Sequence, residues 1–187
     1  MQNIKSMPSL RINNENENLV HFLTITTIEW IDVFTKPQYF QIIINSLKYC
    51  QKNKELLLYE FVIMANHFHL IAKAKEGGDK LSQIISDFKK HTTREILKEL
   101  KKDNRIYILS LIKNSFTKKK DYQNQIWQRE NYPEVVVNEK FMFQKTNYVH
   151  NNPVKKEYVA KPEDWLYSSA RNRILGDDSI IELDNSR

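Results

Sequence analysis

The stretch from Phe61 to Lys73, Phe-Val-Ile-Met-Ala-Asn-His-Phe-His-Leu-Ile-Ala-Lys, narrows what this chain can fold into more than any other. Leu56 to Met64 is apolar and rich in strand-forming residues, and a short turn at Ala65-Asn66 leads straight into the His-Phe-His run. The two runs are therefore expected to pair as an antiparallel hairpin. Residues two apart on a strand share a face, so His67 and His69 project to one side. Phe68, Leu70, Ala72 and Ala74 project to the other, toward a helix layer. Imidazoles whose Cα atoms lie about 6.5 Å apart can lean onto one ion, supplying two of the three positions of a metal site. A surface strand can also carry such a pair with no ion, and the pair alone does not decide between these readings.

The rest of the chain supplies cover for that hairpin. Val20 to Thr26 reads as a first strand. Phe40, Ile43, Ile44, Leu47 and Cys50 recur at helical spacing after Pro37, which predicts an amphipathic helix over Gln38 to Asn53. Gly77-Gly78 breaks the strand of the histidines, and a second helix is expected over Leu81 to Lys101, with Leu81, Ile84, Ile85, Phe88, Ile96 and Leu100 inward. Trp127 reads as a buried anchor and Glu134 to Val137 as a fourth strand. Asn138 is a good N-cap for a last helix, which Pro153 is expected to end at Asn151 or Asn152. On that helix Tyr148 and Asn152 are four residues apart and share a face. Trp165 is expected to dock a small extension.

Length and composition set limits. A chain of 187 residues, 41% hydrophobic and 28% charged, suits one soluble globular domain. Its expected organisation is a flexible leader over residues 1–17, a single domain over 18–175, and a loose tail over 176–187. No apolar run nears the length of a membrane span and no signal-peptide pattern is present, which predicts a cytoplasmic protein with no membrane partner. The one cysteine, Cys50, excludes an internal disulfide. With only 3 glycines and no phosphate-cradling glycine motif, dinucleotide and P-loop nucleotide sites are excluded.

The net charge of +6, from 29 Lys and Arg against 23 Asp and Glu, fits a polyanionic partner without requiring one. Lys90, Arg94, Lys98 and Lys101 line one flank of the second helix. Lys118, Lys119 and Lys120 follow Phe116 and precede Tyr122, a mix of charge and rings that suits single-stranded nucleic acid. Both groups are candidate DNA contacts, and both can equally be solvated charge.

Two separated stretches carry a resemblance. Met64-Ala65-Asn66-His67-Phe68-His69-Leu70 and Tyr148-Val149-His150-Asn151-Asn152-Pro153-Val154 together resemble the single-tyrosine HUH transposases, in the branch of the REP-associated tyrosine transposases. The likeness extends over roughly residues 18–172, including Trp127-Gln128 and Asp164-Trp165-Leu166-Tyr167-Ser168-Ser169. Ala65 departs from the proline or serine common at that place. The resemblance implies an α+β, ferredoxin-like antiparallel sheet with helices on one face, the metal site on the central hairpin and the catalytic tyrosine on a C-terminal helix. It assigns His67, His69 and Asn152 to a divalent cation, Mg²⁺ or Mn²⁺, and Tyr148 to the nucleophile. The implied substrate is single-stranded or hairpin DNA from inverted repeats, cut by a monomer or homodimer through a 5′-phosphotyrosine.

That chemistry suits these residue types. A tyrosine hydroxyl with a pKa near 10 needs a metal, a base or basic surroundings to act as a nucleophile. Two other readings compete: a domesticated DNA-binding protein that no longer cuts, and a histidine-triad nucleotide hydrolase. The second would need a histidine at position 71, where Ile stands.

Overall fold

The computed structural model describes residue 12 and residues 16–115 and 125–185. The chain runs through strand β1 (His21–Thr26), helix α1 (Pro37–Lys54), strands β2 (Leu56–Ile63) and β3 (His67–Ala74), and helices α2 (Leu81–Lys102) and α3 (Ile106–Asn114). Strand β4 (Glu134–Val135), helix α4 (Glu139–Lys155) and helix α5 (Ala170–Leu175) follow. The strands form one antiparallel sheet in the order β2-β3-β1-β4, the ferredoxin-like arrangement. The histidine strand β3 is thus central.

Alternation along the strands builds two cores. Leu23, Ile25, Phe68, Leu70 and Ala72 pack under the apolar faces of α1 and α2, with Trp127 closing one end. The Trp127 ring stacks on Phe34 and its Nε1 donates to Thr92 Oγ1, so it is a core residue. On the opposite face Phe22, Val62 and Ile71 pack against Val149 of α4. A β-bulge at Tyr59 reconciles the two cores. Leu58 pairs with Ala72 and Glu60 with Ile71, leaving Tyr59 without a partner across the ladder. The extra residue lets Leu56, Leu58, Phe61 and Ile63 all face the helices although Leu58 and Phe61 are three apart.

Several expectations shift. The fourth strand has two ladder residues instead of four: Val136 donates its N–H to Val20 O, and the exposed Val137 leads into the cap of α4. Asn138 Oδ1 accepts from Phe141 N at 2.8 Å, as its N-cap role requires. Pro153 does not end that helix, which continues to Lys155. Proline forfeits one N–H bond within the helix, but the Lys156 N–H still reaches Asn152 O and the turn closes around it.

The segment after Gly176, expected to be loose, returns to the sheet. Ile181 is buried, and Asp184 exchanges hydrogen bonds with both the N–H and the carbonyl of Leu58. Together with Tyr167 and Ser169, which bond Ile63 and Phe61, it covers the outer edge of β2. At the other terminus Glu17, assigned to the leader, accepts from Ser82 N and Oγ at the start of α2. No helix among the described residues is long and apolar enough to cross a membrane.

Candidate active site

The site forms on the sheet face turned away from α1 and α2. His67 and His69 lie there on β3 with ring centroids 4.9 Å apart, 7% and 3% exposed. Strand register sets their neighbours: Thr24 of β1 stands opposite His69, and its Oγ1 lies 2.9 Å from His69 Nδ1. His67 Nδ1 lies 2.7 Å from Asn66 Oδ1. The Asn66 amide is itself fixed, because its Nδ2 donates to Trp30 O and Asp32 Oδ1, groups that can only accept. Its oxygen therefore faces His67, Nδ1 of His67 carries the proton, and the Nε2 lone pair is left for a ligand.

Burial keeps both rings neutral. It pushes His67 down to about 4, with Lys156 acting in the same direction and the Asn152 side chain partly opposing. His69 falls to about 3, again chiefly through burial, then through His67 and Lys145. A neutral imidazole is the form that ligates a metal.

Helix α4 crosses this face and brings Tyr148 and Asn152 to it. Val149, His150, Asn152 and Pro153 are buried against the sheet, while Tyr148 stays 40% exposed at the margin. The Tyr148 ring meets His69 edge on at 5.1 Å and Phe22 at 5.8 Å between centroids. His150 takes no part in the cluster; its Nε2 contacts Glu60 Oε2 at 2.8 Å and Ser169 Oγ at 3.2 Å, while Arg173 holds the other Glu60 oxygen. This buried group ties α4 and α5 to β2.

Two buried polar atoms in the cluster have no hydrogen-bond partner: His69 Nε2 and Asn152 Oδ1. Buried lone pairs are seldom left unsatisfied without cause. Among the described residues the third such atom is Nε2 of His21, which shares the opposite sheet face with Leu23 and Ile25. Two imidazole nitrogens and one amide oxygen make a neutral, mixed donor set, which fits a divalent cation with open positions. No group of three His, Cys, Asp or Glu side chains placed to hold a metal ion occurs among the described residues, and Asn152 is the amide that stands beside the two histidines.

Sequence reasoning gave no role to the lysines beside Tyr148, although Lys145 shares its helical spacing. Lys155 Nζ lies 5.5 Å and Lys145 Nζ 6.0 Å from the centre of its ring, and Lys145 also bonds Glu134 at 2.6 Å. Lys145, Lys155 and Lys156 stand three before and seven and eight after Tyr148, a helical spacing that was available in the sequence. Thr24 and Asp32 had no such signal. The structure does not bring Lys90 and Arg94 to the site: they lie on α2, across the sheet, 74% and 73% exposed at the side chain, beside Asp87 and Glu95. Lys118, Lys119 and Lys120 lie outside the described residues.

Fold and site together define an α+β, ferredoxin-like domain with a paired-histidine cluster on its central hairpin and a tyrosine helix laid across it. Comparison with known proteins gives the class a particular reference. No family model matches the chain. A Haemophilus influenzae protein named among the REP-associated tyrosine transposases is 29% identical over 107 residues, which are 57% of this chain and 54% of that protein. The match thus spans about half of the relative's length. Among solved structures, a REP-associated tyrosine transposase bound to a REP hairpin superposes with a TM-score of 0.66 at 20% identity, covering 97% of this chain and 94% of that one. The chain is similar to REP-associated tyrosine transposases in sequence and in fold.

Proposed function

We propose that this protein is a metal-dependent, single-tyrosine DNA endonuclease and strand transferase acting on hairpin-forming single-stranded DNA. The observation that carries the reading is the convergence of Tyr148 with two neutral histidines and Asn152, where His69 Nε2 and Asn152 Oδ1 are buried without partners. The named relative and the hairpin-bound structural neighbour support the same reading.

His67, His69 and Asn152 would hold Mg²⁺ or Mn²⁺. Such an ion supplies Lewis-acid polarisation of a phosphate oxygen and charge stabilisation for the leaving oxygen. Thr24 and Asn66 orient the two imidazoles, and burial keeps them unprotonated. The Tyr148 hydroxyl is the nucleophile: its oxygen bonds to phosphorus, the bond to the 3′ oxygen breaks, the tyrosine proton is lost and the 3′ oxygen gains one. The phosphodiester energy is kept as a 5′-phosphotyrosine until another 3′ hydroxyl reverses the step. Lys145 and Lys155, beside the Tyr148 ring, and Lys156, near His67, attract the phosphate backbone. Lys90 and Arg94, across the sheet, would touch DNA remote from the reacting phosphate, such as a hairpin stem. Lys118, Lys119 and Lys120 would add phosphate contacts.

The deciding experiment mixes protein, Mn²⁺ and hairpin DNA with a single-stranded flank, including repeats that adjoin its own gene. A denaturation-resistant adduct mapped to Tyr148, absent in Tyr148→Phe, is expected. Folded, metal-loaded protein that binds these hairpins and forms no adduct would instead establish the non-cleaving binder.

A further inference from the structure

The turn after β1 carries a feature that the cutting chemistry leaves unused. Ile28 and Ile31 dip into the core, and between them Glu29 and Trp30 form an apex with φ of 48° and 54°. Left-handed backbone is costly for side chains of this kind, and glycine or asparagine would make the same turn with less strain. Here a tryptophan occupies it, 58% exposed, with its ring 5.8 Å from that of His67. The apex is also fixed: Trp30 O accepts from Asn66 Nδ2, and the same Asn66 side chain bonds Asp32 and His67. One amide therefore sets both the His67 ring and the backbone that presents the indole. The other two tryptophans serve the fold, Trp127 in the core and Trp165 bonded to Ile63 O.

We propose that Trp30 is a stacking platform for an unpaired base of single-stranded DNA, holding the nucleotide next to the phosphate that Tyr148 attacks. The proposal rests on the function argued above and deepens it. A flexible strand has to be immobilised before in-line attack, and a rigid aromatic face beside the phosphate site does so for any base. Lysines around Tyr148 hold the backbone, and Trp30 on the other side of the histidine pair holds the base.

The test compares binding of an oligothymidylate with an abasic deoxyribose-phosphate oligomer of equal length, by fluorescence anisotropy in chelator. Wild type should prefer the base-bearing strand by about 30-fold, the middle of the range for one base on one aromatic ring. Trp30→Ala should lose that preference and bind both strands as wild type binds the abasic one. Trp30→Phe should keep most of it, and Trp30→Ala should melt as wild type does because the ring is exposed. An unchanged preference in Trp30→Ala, or a drop of equal size on the abasic strand, overturns the platform. Absence of any wild-type preference for bases overturns it too. The cleavage reading fails separately: wild type that stacks thymidylate through Trp30 but never yields the Tyr148 adduct keeps the platform and loses the enzyme.

Discussion

His150 Nε2 lies 2.8 Å from Glu60 Oε2, and this buried contact fastens the helix that bears Tyr148 to the strand beside His69. The imidazole sits two residues beyond the tyrosine, yet it points into the sheet while Tyr148 stays at the rim. A histidine so near Tyr148 invites a catalytic reading, but its partners are structural. Arg173 and Ser169 complete the cluster.

His150→Ala should therefore act on stability first. Removing the ring leaves a buried carboxylate oxygen short of a partner and opens a gap under α4, costing about 1–3 kcal/mol. Urea unfolding measures this. Cleavage should fall less at low temperature, where α4 stays docked, than near the melting range; a loss of all cleavage in stably folded His150→Ala protein would give the residue a direct role.

Metal dependence should follow the donor set. His67→Ala and His69→Ala should abolish cleavage and the rise in melting temperature with Mn²⁺, while Asn152→Ala should weaken both more mildly. Asn66→Ala, which touches no ion, should lower metal affinity by about 10- to 100-fold because it frees the His67 ring. Full cleavage in chelator contradicts the assignment.

Acid should destabilise the metal-free protein through the same histidines. Their folded pKa values, about 4 and about 3, lie below the ordinary 6.5. Between those limits the unfolded chain binds protons that the folded one refuses, so stability is full above about pH 6.5 and falls as pH is lowered toward 4 and 3. Across that window His67 contributes on the order of 3 kcal/mol and His69 on the order of 5 kcal/mol. Urea midpoints in chelator at pH 7, 5.5 and 4.5 should show a shallower decline for His69→Gln than for wild type.

Salt dependence should separate the two basic regions. Lys155→Gln and Lys156→Gln should each reduce the slope of log affinity against log salt by about 0.7 on a single strand. Lys90→Gln with Arg94→Gln should change the slope only for hairpin DNA. If neither DNA responds, the α2 flank is a solvated face.

Closing the edge of β2 should matter to the whole fold. Ile181→Ala should cost about 2–5 kcal/mol, as for other large-to-small changes at buried sites. Ending the chain at Gly176 should cost more, since it also strips Asp184 from Leu58.

The periodicities of this chain determined its elements. The two-residue alternation through Phe68, Leu70 and Ala72 put the histidines on one face, and the four-residue step from Tyr148 to Asn152 put that pair on one helical face. Both are local properties of the backbone, legible without knowing what packs where. The pairing of the two stretches was legible only through their likeness to a family. What tertiary structure alone decided was everything set by distance along the chain: Thr24 behind His69, Asp32 behind Asn66, Glu60 beneath His150, Trp30 beside His67. These contacts join residues from different elements, and register, a β-bulge and a turn with positive φ bring them together. The same holds for the misread segments. Pro153 stays helical because neighbouring bonds close around it, and residues 177–185 order because an unpaired strand edge and a buried isoleucine hold them. Neither influence is written in the local sequence, since each depends on a surface that exists only once the sheet has formed.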